Sequence, residues 1–124
     1  MLIREDLAER VLAGAIEVHK NLGPGLLESV YEACLCKGLL SSGIQFERQK
    51  DVPVIYKGER IDFGYRLDIV VCGEVIVELK AVEALTKIHE AQLLTYMKLS
   101  EISIGLLMNF NVLMMRDGIK RFVL

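Results

Sequence analysis

The sequence predicts a single mixed α/β domain with helices flanking a sheet, and three observations carry that prediction. Its 124 residues suffice for one hydrophobic core and are too few for two domains. The apolar period is helical from Glu5 to Leu40, alternates after Ile44, and is helical again after Ala84. Leu67 to Cys72 and Val75 to Leu79 read as the arms of a β-hairpin around Gly73-Glu74, and each apolar arm carries an acid.

Glu5 to Leu22 is predicted as an amphipathic helix, with Leu7, Val11, Leu12, Ala15, Ile16 and Leu22 on its apolar side and Asp6 as its cap. Gly23-Pro24-Gly25 ends it, because glycine suits a left-handed helix end and proline cannot continue one. Leu26 to Leu40 forms a second helix, closed by Ser41-Ser42-Gly43. Ile44 to Lys57 is extended, and Pro53 marks an edge or a bulge within it. After a turn at Lys57-Gly58-Glu59-Arg60, the segments Ile61 to Cys72 and Glu74 to Ala81 complete an antiparallel meander. Ala84 to Leu99 is a third helix, and Ile102 to Phe110 is apolar enough for a strand covered on both sides. Val112 to Met115 and Ile119 to Val123 are expected to pair as a final hairpin around Arg116-Asp117-Gly118.

No run of about 18 apolar residues exists to span a membrane. The start, Met1-Leu2-Ile3-Arg4-Glu5-Asp6, is not built like a secretory signal, so a cytoplasmic protein is expected. Cys34 and Cys36 do not share a helix face and Cys72 is distant, which favours buried reduced thiols over a zinc site or a disulfide. A net charge of −2 supplies no global attraction to nucleic acid and leaves room only for a local basic groove.

Glu78 and Lys80, two apart on one strand, project from the same face of a segment otherwise fit for burial. Burying such ions costs on the order of several kcal/mol each unless they are paired or bind something. With Asp68 on the neighbouring strand, the set resembles a divalent-metal site beside a water-activating cation, which needs hard oxygen ligands and open water positions. Singly, each residue has a plainer role. Glu28 suits a helix start, Asp68 could pair with Arg66, and Glu78 with Lys80. Jointly they favour the metal site. On the third helix His89, Gln92 and Tyr96 share one side, either as a semi-polar stripe against the sheet or as a flank that hydrogen-bonds the site, with Lys87 and Lys98 exposed nearby. His19 has no visible partner and reads as a surface residue, while Met108, Met114 and Met115 read as core filler.

Gly25-Leu26-Leu27-Glu28-Ser29-Val30-Tyr31 resembles the signature of the GxxExxY proteins, small members of the PD-(D/E)XK nuclease-like superfamily. Asp68 resembles that superfamily's first strand acid and Glu78-Leu79-Lys80 its (D/E)-x-K, while Gln92 and Tyr96 are similar to the Q-x-x-x-Y helix motif of its RecB-like branch. The resemblance runs from about Leu7 to Val123. It implies a restriction-endonuclease-like αβββαβ core, with an extra N-terminal helix and C-terminal hairpin, in one domain over residues 1–124. It further implies hydrolysis of nucleic-acid phosphodiester bonds, DNA ahead of RNA, with Mg²⁺ or Mn²⁺ held by Asp68, Glu78 and the Leu79 carbonyl and completed by Glu28. Lys80 would orient or deprotonate the attacking water, Gln92 would position water or phosphate, and Tyr96, His89 and Tyr31 would support the site. The alternative is a non-catalytic member that binds nucleic acid or a protein partner, or pairs as a homodimer, such a partner then supplying targeting.

Overall fold

Two helices precede a three-strand meander, and a third helix leads into the last two strands. The computed structural model describes residues 4–124, with the side chains of Arg4 and Phe63 outside the description. The Met1-Leu2-Ile3 start, read above for a targeting signal, also lies outside it. The elements are α1 (Arg4–Leu22), α2 (Glu28–Ser41), β1 (Phe46–Tyr56), β2 (Glu59–Val71), β3 (Val75–Lys80), α3 (Lys87–Ser100), β4 (Ile104–Asn109) and β5 (Ile119–Val123). The strands form one sheet in the order β1-β2-β3-β4-β5. Among the described strands only β3 and β4 run parallel to each other, because α3 carries the chain back between them. Among the described residues no helix is long and apolar enough to cross a membrane.

Each face of the sheet has its own apolar layer. Leu7, Val11, Ala15, Tyr31 and Leu35 from α1 and α2 cover Ile69, Val71, Val77 and Leu106, while Leu93 and Met97 from α3 cover Val70, Ile76 and Leu107. Covered on both sides, β4 has every residue buried. Gly105 lets α3 close on β4, since a Cβ there would stand 2.5 Å from the Met97 sulfur. The β2–β3 turn is Cys72-Gly73-Glu74, with Cys72 and Gly73 both left-handed and the Glu74 N–H donating to the Val71 carbonyl at 2.9 Å. Pro53 sits on the edge strand at a register shift between Val52 and Val54.

Several expectations are corrected. The final hairpin is formed by β4 and β5, paired antiparallel from Ile104↔Val123 to Met108↔Ile119. Val112 to Met115 is not a strand: β5 takes the free edge of β4, while Val112 and Met115 turn into the core beside α1 and Leu113 and Met114 stay exposed. His19 is buried there, tilted against the Phe110 ring, with its Nε2 2.7 Å from the Val112 carbonyl oxygen. Asp6 lies inside the first turn of α1 rather than capping it. Arg66 pairs with Asp51 at 3.0 Å, across the β1–β2 ladder, and not with Asp68. Cys72 is exposed in its turn, Cys34 is half-buried and only Cys36 is buried, where loss of solvent pushes its thiol up to about 11. Met114 is half exposed, whereas Met108 and Met115 lie in the core.

Candidate active site

The β2–β3 ladder is regular from Val71↔Val75 to Ile69↔Val77 and then opens. Side chains replace backbone at the opening. The Leu79 N–H donates to Asp68 Oδ2 at 2.9 Å, and the Asp68 N–H donates to Glu78 Oε1 at 3.2 Å. Alternation along β2 slips at this point, for Leu67 packs under α3 whereas Ile69, two residues on, packs under α1 and α2. Two carboxylates therefore stand side by side in the gap, each tied by one backbone donor and each with further lone pairs to fill.

Their electrostatics follow from this crowding. Burial, with Asp68's charge second, pushes Glu78 up to about 8, against the pull of the Asp68 N–H and Lys80. Asp68 is also raised, first by burial and then by the charges of Glu32 and Glu28, while the Leu79 N–H and Lys80 hold it down. Lys80 ends β3 half-buried, its backbone locked between the Phe110 N–H, which donates to the Lys80 carbonyl at 2.9 Å, and the facing Asn109. The buried Asn109 amide accepts from the Val82 N–H at 3.0 Å and donates to the Val82 carbonyl at 2.9 Å, which fixes the chain just beyond Lys80.

The structure thus brings Asp68, Glu78, Leu79 and Lys80 together. Tyr96 flanks them from α3, stacked on Tyr65 of β2 with centroids 4.0 Å apart. Burial raises both phenols, and Glu78's charge adds to this. Glu28 opens α2 exposed, near enough for its charge to act on Asp68. Gln92 is exposed one turn before Tyr96. His89 is engaged at the start of α3, its Nδ1 accepting from the Thr86 N–H at 3.1 Å in a reciprocal cap. Tyr31 lies wholly in the core, stacked on Phe110 at 4.5 Å, and its hydroxyl donates to the Gly23 carbonyl at 2.6 Å and accepts from the Leu26 N–H at 3.1 Å. It pins the turn that leads to Glu28.

A sequence profile of the PD-(D/E)XK nuclease superfamily matches residues 5–122. The chain belongs to that superfamily. No curated protein and no solved structure matches it. Membership points to nuclease-like chemistry on nucleic acid, and PD-(D/E)XK nucleases generally use divalent metals such as Mg²⁺. The donor set in this PD-(D/E)XK chain fits such an ion, being two adjacent carboxylates that burial holds against ionisation and that keep lone pairs to fill. Among the described residues no three His, Cys, Asp or Glu side chains gather closely enough to hold an ion. Asp68 and Glu78 would therefore share it with backbone and water, as Mg²⁺ commonly allows.

Reading the sequence missed Glu32, Arg48, Gln49, Tyr65 and Asn109. Glu32 repeats Glu28 one turn later on α2, and Asn109 is the lone polar residue ending the apolar run of β4, so both left a trace. Gln49 and Tyr65 gain their place only through strand pairing.

Proposed function

We propose that the chain is a divalent-metal-dependent nuclease that hydrolyses nucleic-acid phosphodiester bonds, a GxxExxY protein of the RecB-like branch. The observation that carries this reading is the carboxylate pair in the opened ladder, with Glu78 raised to about 8 by burial and by the neighbouring Asp68 charge. Asp68, Glu78 and the Leu79 carbonyl would hold Mg²⁺ or Mn²⁺, with Glu28 contributing through water. When bound, the ion polarises the scissile phosphate and acidifies a coordinated water. Lys80, a compact cation at the end of β3, orients the attacking water or takes its proton, and offsets the charge developing on the phosphate. The stacked Tyr96 and Tyr65 stand near enough to feel Glu78's charge and support the site from the α3 side, and Gln92 positions water or phosphate from the same helix.

The test is a panel of single-stranded, duplex and branched DNA and RNA with Mg²⁺ or Mn²⁺, run beside a thermal-shift titration of the ion. Saturation at about 100 times the Kd should stabilise the fold by about 2.7 kcal/mol. Lys80→Ala is expected to lose about 10²- to 10⁴-fold in turnover and keep its metal response. Asp68→Ala should lose both. A Lys80→Ala variant that cleaves like the parent overturns the role of the lysine. Nucleic-acid binding with no cleavage and no response to the ion would favour the non-catalytic alternative instead.

A further inference from the structure

Four non-glycine residues have a positive φ among those described, and three lie where chains ordinarily reverse or end. Lys57 and Cys72 are in hairpin turns, and Glu101 closes α3. The fourth, Gln49, has φ +49° inside β1, facing Asp68 between the pairs Arg48↔Ile69 and Lys50↔Leu67. A left-handed non-glycine residue within a strand is strained and persists only where its surroundings hold it.

The surroundings here are two carboxylates. The Gln49 side-chain amide donates to Glu32 Oε1 at 2.8 Å and, over a longer 3.5 Å, to Asp68 Oδ1. Only the NH₂ end of an amide can face two ionised acids, and its two hydrogens serve one each. Glu32 is itself buried and held from its other oxygen, because Arg48 donates to its Oε2 from Nε at 3.1 Å and from Nη2 at 3.0 Å. A chain of contacts therefore runs from β1 through α2 and back to the Asp68 oxygen that the Leu79 N–H leaves free.

We propose that Gln49 is a positioning residue that sets the Asp68 carboxylate, with Glu32 and Arg48 as its fixed anchor. The consequence for metal binding rests on the nuclease reading above; the placing of Asp68 does not. Replacement by glycine removes the amide where glycine adopts the backbone angle freely, so the fold should keep or gain stability in urea. In the metal-free protein, Gln49→Gly is expected to speed hydrogen exchange at the Leu79 N–H about tenfold, since that donor's partner is then unrestrained. Titrated with Mn²⁺ alone, it should bind about 10- to 100-fold more weakly than the parent. Gln49→Asn, which also tolerates a left-handed backbone but is too short to reach both acids, should behave alike and serves if the glycine variant folds poorly. Unchanged Leu79 exchange in a folded variant overturns the proposal. Faster exchange in a protein whose parent binds no Mn²⁺ upholds the positioning of Asp68 and removes the metal reading instead.

Discussion

The two ends of the β2–β3 hairpin are made of the same strands and do opposite things. At the closed end, Ile69 to Val71 and Val75 to Val77 pair residue for residue, and every side chain is apolar and buried. At the open end the ladder is interrupted, and two carboxylates and a lysine occupy space that packing would otherwise fill. The closed end holds the sheet together through burial and satisfied backbone. The open end is assembled at the expense of that stability, as sites that must bind something often are.

The sharpest contrast is in the sign of truncation. Ile76 is fully buried beneath α3, so Ile76→Ala should cost about 2–5 kcal/mol of unfolding free energy, read from the urea midpoint. Glu78→Gln, two residues along, keeps the shape and removes a charge held against its solvation. In metal-free protein above pH 8 it should therefore stabilise the fold. If both variants are destabilised alike under those conditions, the open end is no less settled than the closed one.

A smaller effect per step, spread over a wider range, is expected with pH. Glu78 moves from an ordinary 4.5 to about 8 in the folded chain, so between those values the native state holds a proton that the unfolded chain has released. Metal-free stability is therefore full below pH 4.5 and declines as pH rises toward 8, by at most about 1.4 kcal/mol per pH unit for one proton. Asp68, also raised, acts in the same direction. Thermal melts of the metal-free chain across this range should show the decline, and Glu78→Gln should flatten it. A melting temperature that climbs over the same interval would mean the pair is already compensated.

The closed end was legible in the sequence because period and turn chemistry are local properties. Alternation after Ile44, Gly73 at a reversal and the unbroken apolar run of β4 each report on their own neighbours. At the open end Asp68, Glu78 and Lys80 were legible as charges that a buried hairpin would not carry idly. Their partners were not, because Gln49 reaches Asp68 through pairing across some twenty intervening residues, and Tyr65 meets Tyr96 only once α3 has folded back on the sheet. His19 and the Val112 to Met115 segment misled for a related reason. An imidazole looks partnerless until a carbonyl from the far end of the chain arrives, and an apolar run looks like a strand until β5 takes the free edge of β4.

The least of the expected effects concerns Tyr31, which joins neither end directly. Its hydroxyl ties Gly23 and Leu26, the turn from which α2 sets out with Glu28 at its first position, while its ring is held by Phe110. Tyr31→Phe keeps the ring stack and loses two hydrogen bonds, for a cost of about 1–3 kcal/mol, each kcal/mol being roughly 3–5 °C in Tm for a chain of this size. Mn²⁺ affinity should be nearly unchanged, because Glu28 acts on Asp68 from a distance and not as part of the carboxylate pair. A loss of Mn²⁺ affinity larger than the loss of stability would draw Tyr31, and the turn it pins, into the open end.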